Sequence, residues 1–211
     1  MKYSLVIAPR ALTHAITTES KRLLKNIYGK DVEGVYYRVK TVEQQENPRR
    51  VFMKGDGEIL EFEVRPHITL VQDLDFPEEK RTDFVKKIAE ALINQSEFVL
   101  NPIGIGDYNQ SFTFYIEFQQ NHSVENLFKK VLSVSKNFLP KEKFVRYTQK
   151  VFIPHTTIIY DDIDPEKIKK AEEQLDKNIF SNPINVSEIE LWELTPQEQK
   201  IIKSFSLLKI L

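Results

Sequence analysis

The chain contains no cysteine, which excludes disulfides, thiolate catalysis and cysteine-based zinc sites. Neither charge sign is in excess: 30 Lys and Arg stand against 31 Asp and Glu, a formal net charge of −1. Such a balance argues against a broad grip on long duplex nucleic acid, which needs many cations on phosphates. A small phosphorylated ligand or a nucleic-acid end stays open. No apolar window approaches the length of a membrane span. The opening MKYSLVIAPRALTHAI breaks at Pro9 and Arg10, too early for a signal-peptide core. The expectation is therefore a cytoplasmic protein without membrane contact. Glycine is scarce, at 6 of 211 residues, and Gly104 and Gly106 lack the spacing and following helix of a phosphate loop. The remainder, 41 % apolar and 29 % charged, suits a globular chain with one large domain or two small lobes.

Histidine is scarce too, yet two of the four share one frame. Pro66-His67-Ile68-Thr69 and Pro154-His155-Thr156-Thr157 are both Pro-His-x-Thr, each flanked by apolar residues. In a strand alternate side chains share a face, so His67 and Thr69 point one way while Val64, Pro66, Ile68 and Leu70 point into a core. His155 and Thr157 are arranged likewise, although Ile153 and Ile159 also fall on the histidine side.

The surrounding sequence repeats. A strand at 3–9 and a helix from about Thr17 to Tyr28 echo a strand at 111–118 and a helix that starts at a Ser123 cap and buries Val124, Leu127, Phe128, Val131 and Leu132. Each motif strand is followed by a turn and a helix, beginning near Pro77 and at Pro165 behind an Asp164 cap. His67 and His155, Asp73 and Asp161, and Pro77 and Pro165 are all 88 residues apart. Phe98 echoes Phe180 at a shorter offset, and further strands at INVSEIELWEL and KSFSLLKIL close the chain. The pattern predicts one bilobal, duplicated domain over 1–211, with residues 30–61 an insertion in the first copy only.

Two copies related by a two-fold would bring both His-Thr faces to one groove. One neutral imidazole can then deprotonate an attacking oxygen while the other, protonated, supplies the leaving oxygen, each transfer contributing about 10²–10⁴-fold. The threonine hydroxyls can donate to the non-bridging oxygens of a phosphate. The duplication leaves open which histidine is base and which is acid.

Arg65-Pro66-His67-Ile68-Thr69-Leu70 and Ile153-Pro154-His155-Thr156-Thr157-Ile158, with the closing LWELTPQEQKIIKSFSL, resemble the 2H phosphoesterase superfamily, which includes 2′-5′ RNA ligase-like proteins and RNA 2′,3′-cyclic phosphodiesterases. The resemblance spans nearly all of the chain except 30–61. It implies an α+β bilobal fold, two antiparallel sheets with flanking helices around a central groove. It also implies metal-independent hydrolysis of a 2′,3′-cyclic phosphate at an RNA end or in a small nucleotide; no cofactor and a monomer are the expectations beside it. His67 and His155 would be acid and base, and Thr69 and Thr157 phosphate ligands. Cleavage of 2′-5′ linkages or cyclic oligonucleotide signals is a related option.

Other readings compete. A metal held by His67, His155 and Asp73 or Asp161 is conceivable, though both carboxylates lie at strand ends and suit a turn better. A silent module could bind nucleotides or RNA ends in the same groove. Arg65, on the His67 face, could meet a phosphate or be structural. His14 and His122 lack the frame and read as surface or capping residues, the lysines and arginine at 141–146 as a solvated face, and Trp192 as core. The 30–61 segment would sit beside the groove if it selects substrate.

Overall fold

A computed structural model describes residues 2–28, 65–108, 113–149, 151–160, 165–194 and 199–209. The first half runs β1 (Lys2–Ile7), α1 (Arg10–Tyr28), β2 (Ile68–Asp75), α2 (Arg81–Leu92), β3 (Phe98–Leu100) and β4 (Pro102–Tyr108). The second runs β5 (Thr113–Phe118), α3 (His122–Ser135), α4 (Lys141–Gln149), β6 (His155–Tyr160), α5 (Pro165–Gln174), β7 (Ile184–Val186) and β8 (Glu188–Leu194). A last strand, β9 (Gln199–Ser206), follows. No described helix is long and apolar enough to cross a membrane.

The fold is the expected α+β arrangement with two antiparallel sheets. One has seven strands in the order β4-β5-β6-β2-β1-β8-β9, and the other is the β3–β7 pair. The order reads the same outward from the β6–β2 junction, with β9 as an addition beyond the repeat. At that junction Ile68 faces Thr156, 88 residues away, in an antiparallel pair. Equivalent residues can face each other only across a local two-fold, so this one bridge fixes the axis of the duplication. The small sheet straddles it as well, pairing around Val99 and Asn185. The echo of Phe98 at Phe180 is therefore displaced: β7 is the partner of β3, and Phe180 ends the 3-10 turn before it.

Each half supports the other's motif strand. Helix α1, entered from β1, packs on β6 and α5, while α3, entered from β5, packs on β2 and α2. Val124, Leu127, Phe128, Val131 and Leu132 are buried along α3 as its period predicts. Each contributes about 1.5–3 kcal/mol by leaving water. Phe84, Ile88 and Leu92 do the same on α2. One continuous apolar cluster runs through both halves, so the lobes share a core.

Three local expectations are corrected. Helix α1 starts at Arg10, not near Thr17, because Thr13 N–H already closes a turn onto the Pro9 carbonyl at 3.1 Å and Ile16 is buried one turn before the stripe begins. The cap of α3 is Asn121, whose side chain accepts from Val124 N–H at 3.0 Å, rather than Ser123. Helix α4 was not foreseen: Lys141 and Arg146 on it are exposed, but Lys143 is half-buried and ion-paired with Asp73. Pro165 is the first residue of α5 as expected, while Asp164 and the 30–61 segment lie outside the described residues.

Candidate active site

The site is laid out by β-sheet register. Thr157 pairs with Tyr115 and His155 with Glu117 across β5–β6, while Thr69 pairs with Val6 across β1–β2. Laterally paired residues share a face, and the Ile68–Thr156 bridge turns the neighbours on either side of it, His67, Thr69, His155 and Thr157, to the other face. The four sequence-predicted residues thus share one side of the sheet, away from buried Ile68, Leu70, Thr156 and Ile158.

Both imidazoles are held in the same way. His67 Nδ1 lies 2.9 Å from the carbonyl oxygen of Arg65, and His155 Nδ1 lies 2.8 Å from that of Ile153. A carbonyl only accepts, so each Nδ1 carries its hydrogen and each neutral ring presents the lone pair of Nε2. The prolines of the motif have a structural role. Residues 65–67 and 151–154 precede the ladder, where proline's missing N–H leaves nothing unsatisfied.

The surroundings of the two rings differ. The His67 ring meets Trp192 edge-on, with centroids 4.7 Å apart. Trp192 is buried with Val6 and Ala8 in a small apolar cluster apart from the main core. Its Nε1–H donates to Glu190 at 2.6 Å, and Glu190 also accepts from Arg65, whose guanidinium lies 5.3 Å over the indole. Arg65, which the sequence left between phosphate ligand and structural residue, is thus paired with Glu190. On the other side Tyr115 approaches His155 with centroids 4.9 Å apart, and the ring of Tyr115 covers Gly106, where an added Cβ would sit 2.4 Å from it.

These surroundings set the charge states. Burial is the main cause that lowers the His67 pKa to about 4; the Arg65 carbonyl opposes it, and the charges of His155 and Arg65 assist it. The effect of His155 on His67 places the two rings in one electrostatic neighbourhood. Burial also lowers the pKa of His155, but there the Ile153 carbonyl and the Glu117 carboxylate both push it up.

The remaining candidates fall elsewhere. His14 and His122 are exposed on helices. Asp73 is in a bulge within β2, not in a turn, at φ 61° and with its carboxylate on Lys143. Asp161 lies outside the described residues, among which no three potential ligands group to hold a metal. Glu117, Tyr115 and Glu190 were missed. The clue to Glu190 was the alternation in EIELWEL, which puts Glu190 and Trp192 together on the side opposite Ile189 and Leu191.

Residues 55–198 match the sequence profile of the 2′-5′ RNA ligase superfamily. The chain belongs to this superfamily. Its members are ligases and phosphoesterases, so this one is an enzyme that acts on phosphodiester bonds. No curated protein matches the sequence itself closely. Among solved structures, this superfamily member is similar to TT0787 of Thermus thermophilus, at 17 % identity and TM-score 0.59, with 98 % of each chain covered. It is similar also to E. coli LigT complexed with phosphate, at 15 % identity and TM-score 0.57, covering 98 % of this chain and 97 % of LigT. LigT complexed with 3′-AMP matches at the same identity and TM-score over 98 % and 96 %. At such identities the likeness establishes the fold.

Proposed function

We propose that this superfamily member is a metal-independent phosphodiesterase that opens a 2′,3′-cyclic phosphate, at an RNA end or in a small nucleotide, to the 2′-phosphate. The observation that carries the reading is the register of β6 against β2, which turns His67, Thr69, His155 and Thr157 to one face astride the two-fold. A phosphate on that axis has one imidazole on each side. The LigT complex with 3′-AMP supports a ligand of nucleotide size.

In the proposed reaction water attacks phosphorus opposite the 3′-oxygen. Nε2 of His67 takes the water proton, and Nε2–H of His155 delivers a proton to the 3′-oxygen as its bond to phosphorus breaks. Thr69 and Thr157 donate to the non-bridging oxygens, where charge accumulates. The different surroundings favour this assignment of roles. His67, with its pKa near 4, is neutral at physiological pH and free to accept, whereas Glu117 favours the charged form of His155. A bound phosphate anion strengthens the hold of His155 on its proton.

Incubation with 2′,3′-cyclic nucleotides, 2′-5′ oligomers and cyclic oligonucleotides in EDTA tests the reading. Turnover is expected in EDTA, and it should fall about 10²–10⁴-fold in His67→Ala and in His155→Ala while both variants stay folded. Binding without turnover overturns the proposal in favour of a binding module, and dependence on a divalent ion overturns it in favour of a metal site.

A further inference from the structure

The carbonyl that holds Nδ1 of His67 belongs to the Arg65–Pro66 peptide. Proline has no N–H, so that peptide bond has no donor of its own to anchor it. The direction of the carbonyl therefore follows from how Arg65 is held. Its backbone N–H donates to Oε1 of Gln199 at 3.2 Å, and its guanidinium donates to the buried carboxylate of Glu190. Both partners come from the β8–β9 hairpin, and Gln199 opens β9, the strand that lies beyond the repeat.

Glu190 reaches the imidazole by a second route. It also accepts from Nε1–H of Trp192 at 2.6 Å, and that indole meets the His67 ring edge-on, at 63° to it. The imidazole is thus gripped at Nδ1 through Arg65 and flanked by Trp192, and both contacts lead back to one carboxylate. His155 is held differently. The carbonyl on its Nδ1 is that of Ile153, whose side chain can neither donate nor pair, and the entry to β6 is anchored by Phe118 N–H on the Pro154 carbonyl at 2.9 Å.

We propose that Gln199 and Glu190 are positioning residues for His67. By holding Arg65 at its N–H and at its guanidinium they fix the Arg65 carbonyl, and with it the Nδ1–H tautomer that leaves Nε2 free to act as base. The consequence for turnover rests on the phosphodiesterase reading. The tautomer is a property of the free protein and is tested without substrate.

The chain has four histidines, so their ring nitrogens can be resolved by NMR in isotope-labelled protein at neutral pH, with His67→Gln assigning the signals of interest. Wild-type His67 should show the Nδ1–H form, with its unprotonated Nε2 far downfield of Nδ1. Gln199→Ala removes a partly exposed side chain, so the core stays intact. In that variant the two His67 nitrogens should move towards each other as the ring samples both tautomers, while those of His155 stay in place. On a 2′,3′-cyclic nucleotide its kcat should fall about tenfold, the scale of one hydrogen bond that aligns a base, with KM within about twofold of the wild type. Gln199→Glu keeps an oxygen acceptor at the same reach and should restore both readouts. Glu190→Gln loosens the guanidinium but keeps an acceptor, so it should move the His67 nitrogens in the same direction by less. A wild-type His67 in the Nε2–H form overturns the proposal, as does a His67 unchanged in Gln199→Ala. Equal movement of both rings overturns it too, because that marks a general loosening of the fold. If the wild type turns over no cyclic nucleotide, the phosphodiesterase reading fails and the nitrogen shifts alone decide the positioning role.

Discussion

The two sides of the β2–β6 junction share a backbone plan and differ in what lies beside their histidine. Followed outward along the ladder, Thr69 leads through Val6 to Glu190, and Thr157 leads through Tyr115 to Gly106. Beside His67, Trp192 and Glu190 of β8 and Arg65 fill the space. Beside His155, two glycines lie on the outer strand β4, Tyr115 folds over one of them, and at the other, Gly104, an added Cβ would meet nothing within 4 Å. A carboxylate, Glu117, stands beside His155. Duplication thus supplies two equivalent imidazoles, and divergence of the flanking strands separates their proton affinities. In the proposed acid–base reaction that separation raises the share of molecules in which one imidazole is neutral and the other protonated.

The largest effect is expected from breaking the surroundings of His67. Glu190→Ala leaves the guanidinium of Arg65 and the indole N–H of Trp192 without their buried acceptor, which should cost about 3–5 kcal/mol in denaturant unfolding. Glu190→Gln, which keeps an acceptor, should lose less. A midpoint unchanged in both would mean that the wall around His67 is not held by this acid.

On the other side Gly106→Ala puts a methyl 2.4 Å from the ring of Tyr115, which must shift, and that ring also meets His155. Overpacking of this kind costs about 1–3 kcal/mol. Turnover should drop along with stability, since the displaced ring misaligns the imidazole; stability lost at full kcat would separate the two.

Glu117→Gln sharpens the comparison without disturbing packing. Glu117 raises the pKa of His155, so its neutralisation lowers that pKa. For a protonated acid the alkaline limb of the kcat/KM profile should move to lower pH, with the acid limb, set by His67, staying in place. Movement of the acid limb instead would reverse the roles of the histidines. The His67 shift also has a consequence for stability. Its folded pKa, about 4, lies below the ordinary value of 6.5, so the unfolded chain binds more protons between those values and stability should fall as pH drops through that window. His67→Gln should flatten that slope in pH-dependent unfolding.

The smallest effect concerns the bridge. Thr156 is the equivalent of Ile68, yet its hydroxyl is buried without a hydrogen-bond partner. Thr156→Val keeps the shape and removes the orphan, so the unfolding midpoint should rise by an amount worth about 1 kcal/mol. A drop would show that the hydroxyl has a role.

Much of the plan was legible because it is periodic. The 88-residue spacing of the motifs announced the two-fold, and the stripe from Val124 to Leu132 announced the buried face of α3. Elements that owe their place to partners distant in sequence were not. Helix α4 is short and has no fully buried residue, so it carries little periodic signal. It is held by Lys143 on Asp73 and by the hydroxyl of Tyr147, which accepts from Gln72 N–H at 3.0 Å. Glu117 and Tyr115 look like ordinary strand residues until β5 is laid beside β6.

The sequence alone determined that a histidine and a threonine occur together twice in strand frames, because alternation and spacing are properties of the chain itself. Tertiary structure alone decided which face they share, and which ring sits beside a carboxylate and which beside an indole. Those are matters of register and burial between segments far apart in sequence, and a proton's preference for one imidazole over another is set by just such neighbours.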